Sequence, residues 1–229
     1  MPTRPPSRVE VDGLAVTVVR KPIRHLYLRV RDEGVVVSAP VRATEAQIRD
    51  AVRARWGWIQ THRERLRVQA AAKEQVTARG QVMLWGRPTP VENGGTGRWR
   101  VGLCEEALVV TAPAGATRDA RDGAVQRWLR AELGREIERL IPLWQAQLRV
   151  NPAGFRLRTM TSRWGSCNPR TRQLTFNTEL VGRDPALLEY VVVHELAHLI
   201  ETGHGPRFQA ILDAHLPDWR ARRRKLNKG

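Results

Sequence analysis

With 229 residues, 41% hydrophobic and 27% charged, the chain reads as a folded globular protein of one large or two small domains, not a disordered or fibrous one. No apolar run approaches the ~20 residues that cross a bilayer, Met1 to Pro6 leads into polar sequence rather than a signal-peptide core, and Cys104 and Cys167 cannot build a disulfide framework, so the expected setting is the cytoplasm, with no membrane partner. The 39 Lys+Arg against 23 Asp+Glu leave +16, a field that attracts DNA, other polyanions or acidic surfaces, although all but Lys21, Lys73, Lys225 and Lys228 are arginines and GC-rich coding gives the same bias.

Residues 1–116 read as a β-rich region made of two strand-then-helix units related by a shift of 73 positions. Val36-Val37-Ser38-Ala39-Pro40, then Ala43-Thr44 and Ala51-Val52, matches Val109-Val110-Thr111-Ala112-Pro113, then Ala116-Thr117 and Ala124-Val125. In each copy a β-branched run ends at a proline that cannot continue the ladder, and a threonine then caps a helix. Strands are expected at 14–19, 27–31 and 35–39, then at 81–85, 99–103 and 108–112, with Asn93 to Gly97 as a flexible turn. Thr44 and Gln47 form a capping box before Ile48, Val52, Trp56 and Ile59. In the second copy Val125, Trp128, Leu129, Leu133, Ile137 and Leu140 make the apolar face of a helix reaching Pro142.

That second helix opens the expected second domain, 117–229. Strands follow at 155–160 and 173–180, around a loop from Ser162 to Thr171. Asp184 and Pro185 then start a helix as N-cap and first residue, and it should stop near Gly203. Another helix begins at Pro206, and a last turn follows Pro217. The eight tryptophans read as packing residues. The fold class is therefore α+β.

The chemistry lies in His194-Glu195-Leu196-Ala197-His198, an H-E-x-x-H motif on the Asp184 helix. Four residues at 3.6 per turn set the two histidines ~40° apart in azimuth and ~6 Å apart in height, so both imidazoles can face one metal. Glu195 lies ~100° round the helix, placed to take a proton from a metal-activated water. His204, just past Gly203, is the favoured third ligand, which leaves an open position as in catalytic zinc sites. Glu201 is its rival, seven residues from His194 on the same helix face. Glu201 also stands where H-E-x-x-H-x-x-G-x-x-H metalloproteases have glycine, and no methionine follows Met160, so that subgroup is set aside.

Arg163-Trp164-Gly165-Ser166-Cys167, then Leu174, Asn177 and Leu180, then Tyr190-Val191-Val192-Val193-His194-Glu195-Leu196-Ala197-His198-Leu199, and Gly203-His204 with Phe208, resemble the YgjP-like zinc metallohydrolases, relatives of the SprT-like metalloproteases. The resemblance is close over Arg158 to Asn227 and loose before it. It implies a zincin-like catalytic domain with a backing helix, a small sheet and a metal-bearing helix, one zinc ion on His194, His198 and His204, and Glu195 as base. It also leaves the substrate open. A peptide or protein is the leading expectation, a nucleoside triphosphate of the UTP type cleaved as by a pyrophosphatase is the second, and DNA-bound protein, as for SprT-like proteases, is the third.

Other residues carry smaller expectations. Arg163 either steadies negative charge developing on substrate or holds its loop together, and Asn177 either donates to substrate or stabilises a turn or the sheet. Gln173 to Leu180 is the expected edge strand for an extended peptide. Cys167 reads as a packed thiol with redox sensitivity as the alternative, and Asp213 and His215 as ordinary helix residues or supports of the metal site. The basic run Arg220, Arg222, Arg223, Arg224, Lys225 and Lys228 reads either as a solvated tail or as an anchor for the phosphates of DNA or another polyanion.

Overall fold

Alternation sets the first sheet. Leu14, Val16 and Val18 on β2 (Leu14–Lys21) and Val35, Val37 and Ala39 on β4 (Gly34–Pro40) are buried on one face, as the period of two requires. With β1 (Ser7–Val11) and β3 (Tyr27–Arg31) the order is β1-β2-β4-β3, β2 and β4 parallel and the outer pairs antiparallel. The computed structural model describes residues 5–31, 34–64, 66–67, 80–160 and 163–228, and the chain divides into two units, Met1–Ala72 and Lys73–Gly229. Helix α1 (Glu45–Arg53) begins at the expected capping box: Gln47 N–H donates to Thr44 Oγ1 at 3.2 Å and Thr44 N–H to Gln47 Oε1 at 2.9 Å. Its Ile48 and Val52, with Ile59 from α2 (described over 56–64), close the core of this unit.

The second unit opens with the same topology. β5 (Gln81–Leu84), β6 (Arg87–Thr96), β7 (Arg100–Cys104) and β8 (Ala107–Ala112) are ordered β5-β6-β8-β7, with the same parallel and antiparallel pairings. The shift of 73 carries β3 onto β7, the Val11↔Leu14 register onto Leu84↔Arg87, and the Thr44 cap onto Thr117. Asp12-Gly13 and Trp85-Gly86, also related by this shift, are both at positive φ, the backbone that matches a two-residue hairpin turn to strand twist. Asn93 to Gly97 is not a flexible turn. Asn93 to Thr96 belongs to β6, with a register shift against β8. A Cβ on Gly94 would lie 2.6 Å from Val109 Cγ1, so this glycine marks close strand packing.

The 116/117 boundary falls inside this unit, where Leu108 and Val110 of β8 share a core with Val125, Leu129 and Leu133 of α3 (Arg118–Leu148). The α3 helix continues through Pro142, because Trp144 and Leu148 beyond it are buried in the same core and their burial outweighs the one backbone bond a proline removes. β9 (Gly154–Arg158), β10 (Gly165–Asn168) and β11 (Gln173–Asn177) form a sheet in the order β10-β11-β9. β10 lies within the expected loop, whose Ser162 is outside the described residues. A 3₁₀ turn, Thr178–Gly182, replaces the end of the expected strand.

Asp184 caps α4 (Pro185–Ala197), its Oδ1 accepting from Ala186 N–H at 3.0 Å. The helix ends at Ala197, earlier than the expected Gly203. α5 (Pro206–His215) follows, and α6 (Trp219–Lys228) is a full helix where a turn is expected. Trp144 and Trp219 are buried, whereas Trp58 and Trp99 are each 43% exposed and fall outside the packing role. The architecture is mixed α+β, β-rich at the start and helical later. No helix among the described residues is long and apolar enough to cross a membrane.

Candidate metal centre

Helix α4 is buried almost all round: Leu187, Leu188, Val191, Val192, Val193, Leu196 and Ala197 are in the core, and so are Tyr190 and Glu195. His194 and His198 share one face, their ring centroids 4.9 Å apart, as the i, i+4 spacing dictates. Beyond Ala197 the chain tightens, with Leu199 and Ile200 N–H donating to the carbonyls three residues back at 3.0 Å. His198 caps the helix with helical backbone angles, which keeps it in register with His194. The segment that follows returns His204 to the same place, 5.0 Å from the His194 ring and 4.7 Å from the His198 ring. Phe208 of α5 packs against all three rings.

One nitrogen from each of these rings lies within 4.8 Å of the others. The Glu201 carboxylate is turned to other partners: its Oε1 accepts from Gly203 N–H at 3.2 Å, and Arg207 lies 3.8 Å away. The Glu201 carbonyl accepts from His198 Nδ1 at 3.0 Å, which puts the His198 proton on Nδ1 and leaves the Nε2 lone pair free. Tyr190 Oη lies 3.5 Å from His194 Nδ1, and His194 Nε2 is 3.1 Å from His204 Nε2. Two ring nitrogens at that distance either share a proton or face a common cation.

Burial governs the charges here. It pushes the His194 pKa down to about 3, helped by the neighbouring His198 and His204, and lowers that of His198. Neutral imidazoles are the form that binds metals, so the donor set fits a divalent transition-metal ion. Glu195, 4% exposed, is pushed the other way, up to about 8 by burial, with the Arg163 charge opposing the rise. No described residue donates a hydrogen bond to its carboxylate.

The model of the YgjP-like metallopeptidase domain matches residues 24–229. The chain belongs to the YgjP-like family. The match begins well ahead of the 158–227 block of close resemblance. Among solved structures the chain is similar to two metallopeptidase zymogens. Jannalysin of Methanocaldococcus jannaschii is 22% identical over 40% of this chain and 94% of that one, at a TM-score of 0.36. Abylysin of Pyrococcus abyssi is 17% identical over 39% and 90%, at 0.37. No curated protein matches the sequence.

Around the centre of this YgjP-like chain the remaining residues sort themselves. Of the two roles open to Asn177, the structural one holds. The residue is 4% exposed; its Nδ2 donates to the carbonyls of Met160 at 2.7 Å and Arg163 at 3.0 Å, and its Oδ1 accepts from Met160 and Glu179 N–H. Both amide protons are thereby taken, which removes it as a donor to substrate. Arg163 is exposed and exerts its charge on Glu195. Cys167 packs against the core, its thiol pushed up to about 11 by burial, which suits the packing role over reactivity. Asp213 accepts from Trp219 Nε1 at 2.7 Å and pairs with Arg220, so it braces α6 rather than the histidines.

The expected edge strand is also corrected. β11 is the middle strand, and the edge strand beside α4 is β10. One residue of β10 carries no signal of its own in the sequence beyond its place in the Arg-Trp-Gly-Ser-Cys block: Gly165, whose Cβ, were it present, would fall 2.5 Å from Glu195 Oε1 and 2.7 Å from Cγ. Only a glycine lets the strand lie directly on that carboxylate.

These shifts fix how stability of the metal-free protein varies with pH. Glu195, raised from 4.5 to about 8, holds a proton in the fold that the unfolded chain has lost, so stability falls with pH across that interval. His194, lowered from 6.5 to about 3, makes stability rise with pH up to 6.5. The two slopes oppose each other between 4.5 and 6.5, and only the Glu195 slope remains between 6.5 and 8. Urea unfolding of chelator-treated protein should therefore lose about 2 kcal/mol over that upper interval, and Glu195→Gln should flatten it. An equal loss in the variant would assign the slope to other groups.

Proposed function

We propose that this YgjP-like protein is a zinc-dependent metallopeptidase of zincin-like architecture, with His194, His198 and His204 as metal ligands and Glu195 as general base. The observation that supports this reading most is the convergence of three imidazole nitrogens beside a buried carboxylate. Three nitrogen donors with no thiolate suit a catalytic zinc site that keeps one position open. When bound, the ion supplies Lewis acidity toward the scissile carbonyl and acidifies water.

The chain's own groups do the rest. Phe208 and the Glu201 carbonyl hold the His198 ring, and Tyr190 reaches the outer nitrogen of His194. Glu195 accepts the proton from the attacking water and returns it to the leaving amine. Its burial raises proton affinity, and a cation nearby lowers it again, so ionisation of the base depends on the site being filled. An extended substrate fits as an added strand on β10, the edge that runs past Glu195 at Gly165.

The other substrate readings gain no observation. In the basic run that reads as a solvated tail or a DNA anchor, Arg220 pairs with Asp213, Arg222 with Asp218 and Glu189, and Lys225 with Asp184. Arg222 also donates to the Ala186 carbonyl at 3.0 Å, which makes it a brace between α6 and α4. The cytoplasm is the compartment we assign, on the free thiols of Cys104 and Cys167.

Three outcomes check this proposal. Metal analysis of purified protein should give one zinc per chain, lost in His204→Ala and kept in Glu201→Ala; the reverse pattern would overturn the ligand assignment. Glu195→Gln should retain zinc and fold while peptide hydrolysis drops by about 10²- to 10⁴-fold, and wild-type turnover across the pH–rate profile at equal zinc content would remove Glu195 as base. Gly165→Ala should lower the rate by about tenfold or more through displacement of that carboxylate, again with zinc retained; unchanged kinetics would show that the strand yields instead.

A further inference from the structure

A cleft of about 530 Å³ lies on the β9–β11 sheet, and the three histidines are not part of it. Its floor follows from strand alternation. Phe155, Leu157, Leu174 and Phe176 face the core, so Arg156, Arg158, Gln173 and Thr175 face away from it. Ser166, Thr175 and Arg156 stand in one row across the three strands, and Arg163 lines the cleft from the approach to β10.

Several arginines of this unit are held by acids. Arg135 pairs with Glu132, Arg139 with Glu136, and the α6 cations with the acids named above. Among the described residues, no carboxylate pairs with Arg156, Arg158 or Arg163, and none of their guanidinium groups forms a hydrogen bond. Arg87, Arg98 and Arg100 likewise have no carboxylate partner among the described residues; what the cleft adds is three such cations lining one concave surface, which concentrates the positive field there.

We propose that this cleft is a substrate subsite for an extended acidic peptide segment whose carboxylates, at alternate positions, meet Arg156, Arg158 and Arg163. The inference rests on the peptidase reading only in calling the ligand substrate. Geometry favours a peptide over a compact polyphosphate. Arg156 and Arg158 are two residues apart on one strand, a spacing of roughly 6.5–7 Å, which is also the spacing of same-face side chains on an extended peptide. Phosphate sites commonly draw on helix N-termini or glycine-rich loops with free N–H groups, whereas the charge here stands on strands paired in a sheet. β10 joins the cleft to the candidate centre: Gly165 lies against Glu195, and its neighbour Ser166 lines the cleft.

Binding is tested on full-length Glu195→Gln protein, by fluorescence anisotropy with labelled (Glu-Ala)₃, (Gln-Ala)₃ and tripolyphosphate. The acidic peptide should bind about tenfold or more tighter than the neutral one. The combined Arg156→Gln, Arg158→Gln, Arg163→Gln variant should abolish that difference, and so should Thr175→Glu, which keeps every arginine. Replacing Arg87, Arg98 and Arg100, on β6, the following turn and β7, by glutamine removes the same charge and should leave the difference within about twofold. Equal affinity for the two peptides, or an equal loss in this control, would overturn the proposal, as would tighter binding of tripolyphosphate that depends on the same three arginines. With wild-type protein, cleavage of neutral and acidic peptides at the same kcat/KM, unaltered by the cleft variants, would overturn the subsite and leave the peptidase reading standing. Arginine-dependent binding of the acidic peptide with no cleavage of any peptide would support the cleft and sink the peptidase reading.

Discussion

Desolvation along α4 is the constraint on which the candidate centre depends. A helix buried on nearly every side can carry polar groups only where they find partners or face a cavity. Val191, Val192, Val193 and Leu196 exclude water around His194 and Glu195, and that exclusion acts on the two groups in opposite senses. The histidine is held neutral with its lone pair available, and the carboxyl is held protonated until positive charge arrives. One physical cause thus prepares the donors for a cation and makes the acid–base group responsive to it. The same burial explains why a strand must come close without side chains: a Cβ at Gly165 would occupy the space of the carboxylate.

The two copies of the β-hairpin topology serve different ends. In the first unit the sheet is closed by α1, a helix of 9 residues, and the core consists of their facing aliphatics. In the second, the equivalent helix extends to 31 residues, and Leu133, Ile137, Leu140, Trp144 and Leu148 continue its apolar face far beyond the sheet. That extension is the wall against which α4 packs. The long helix therefore belongs both to the repeat and to the centre, so no break between a β-rich domain and a helical one occurs at its start.

What was legible in the sequence follows from how locally each feature is determined. Capping is local, and Thr44, Thr117 and Asp184 start their helices where composition says they should. The approach of His194, His198 and His204 needed only helical spacing and a reversal of the chain. β10 was not legible, because its four residues, Gly165-Ser166-Cys167-Asn168, have neither β-branching nor alternation and take their conformation from pairing with β11. The edge strand was misplaced for the same reason: Gln173 to Asn177 has good strand character, and strand character says nothing about which neighbours lie on either side. The end of α4 was expected at a glycine, but the stop comes from the short-range bonds at Leu199 and Ile200, with no positive-φ residue involved. Asn177 shows the limit for single residues, since an amide in a strand beside the motif is equally suited to substrate or to backbone until its partners are known.

Net charge is the least local feature, and its meaning changes most with the fold. By count, the densest positive run lies on α6 and the sheet arginines are unremarkable. In space, three of the six cations of that run are held by acids. On α6 the i, i+4 pair Arg222–Asp218 and the contacts to Asp184, Glu189 and Asp213 hold much of the charge against acids of the same unit, and a guanidinium already bound to a carboxylate contributes little field beyond a few ångströms. On β9, alternation separates Arg156 and Arg158 from the core without supplying an acid across the strand, because the residues they face in register are Thr175 and Asn177. The positive potential over the sheet cleft is therefore set by cross-strand neighbours, so a carboxylate at position 175 would extinguish much of it, whereas at the histidines themselves Arg223 of α6 still adds its charge.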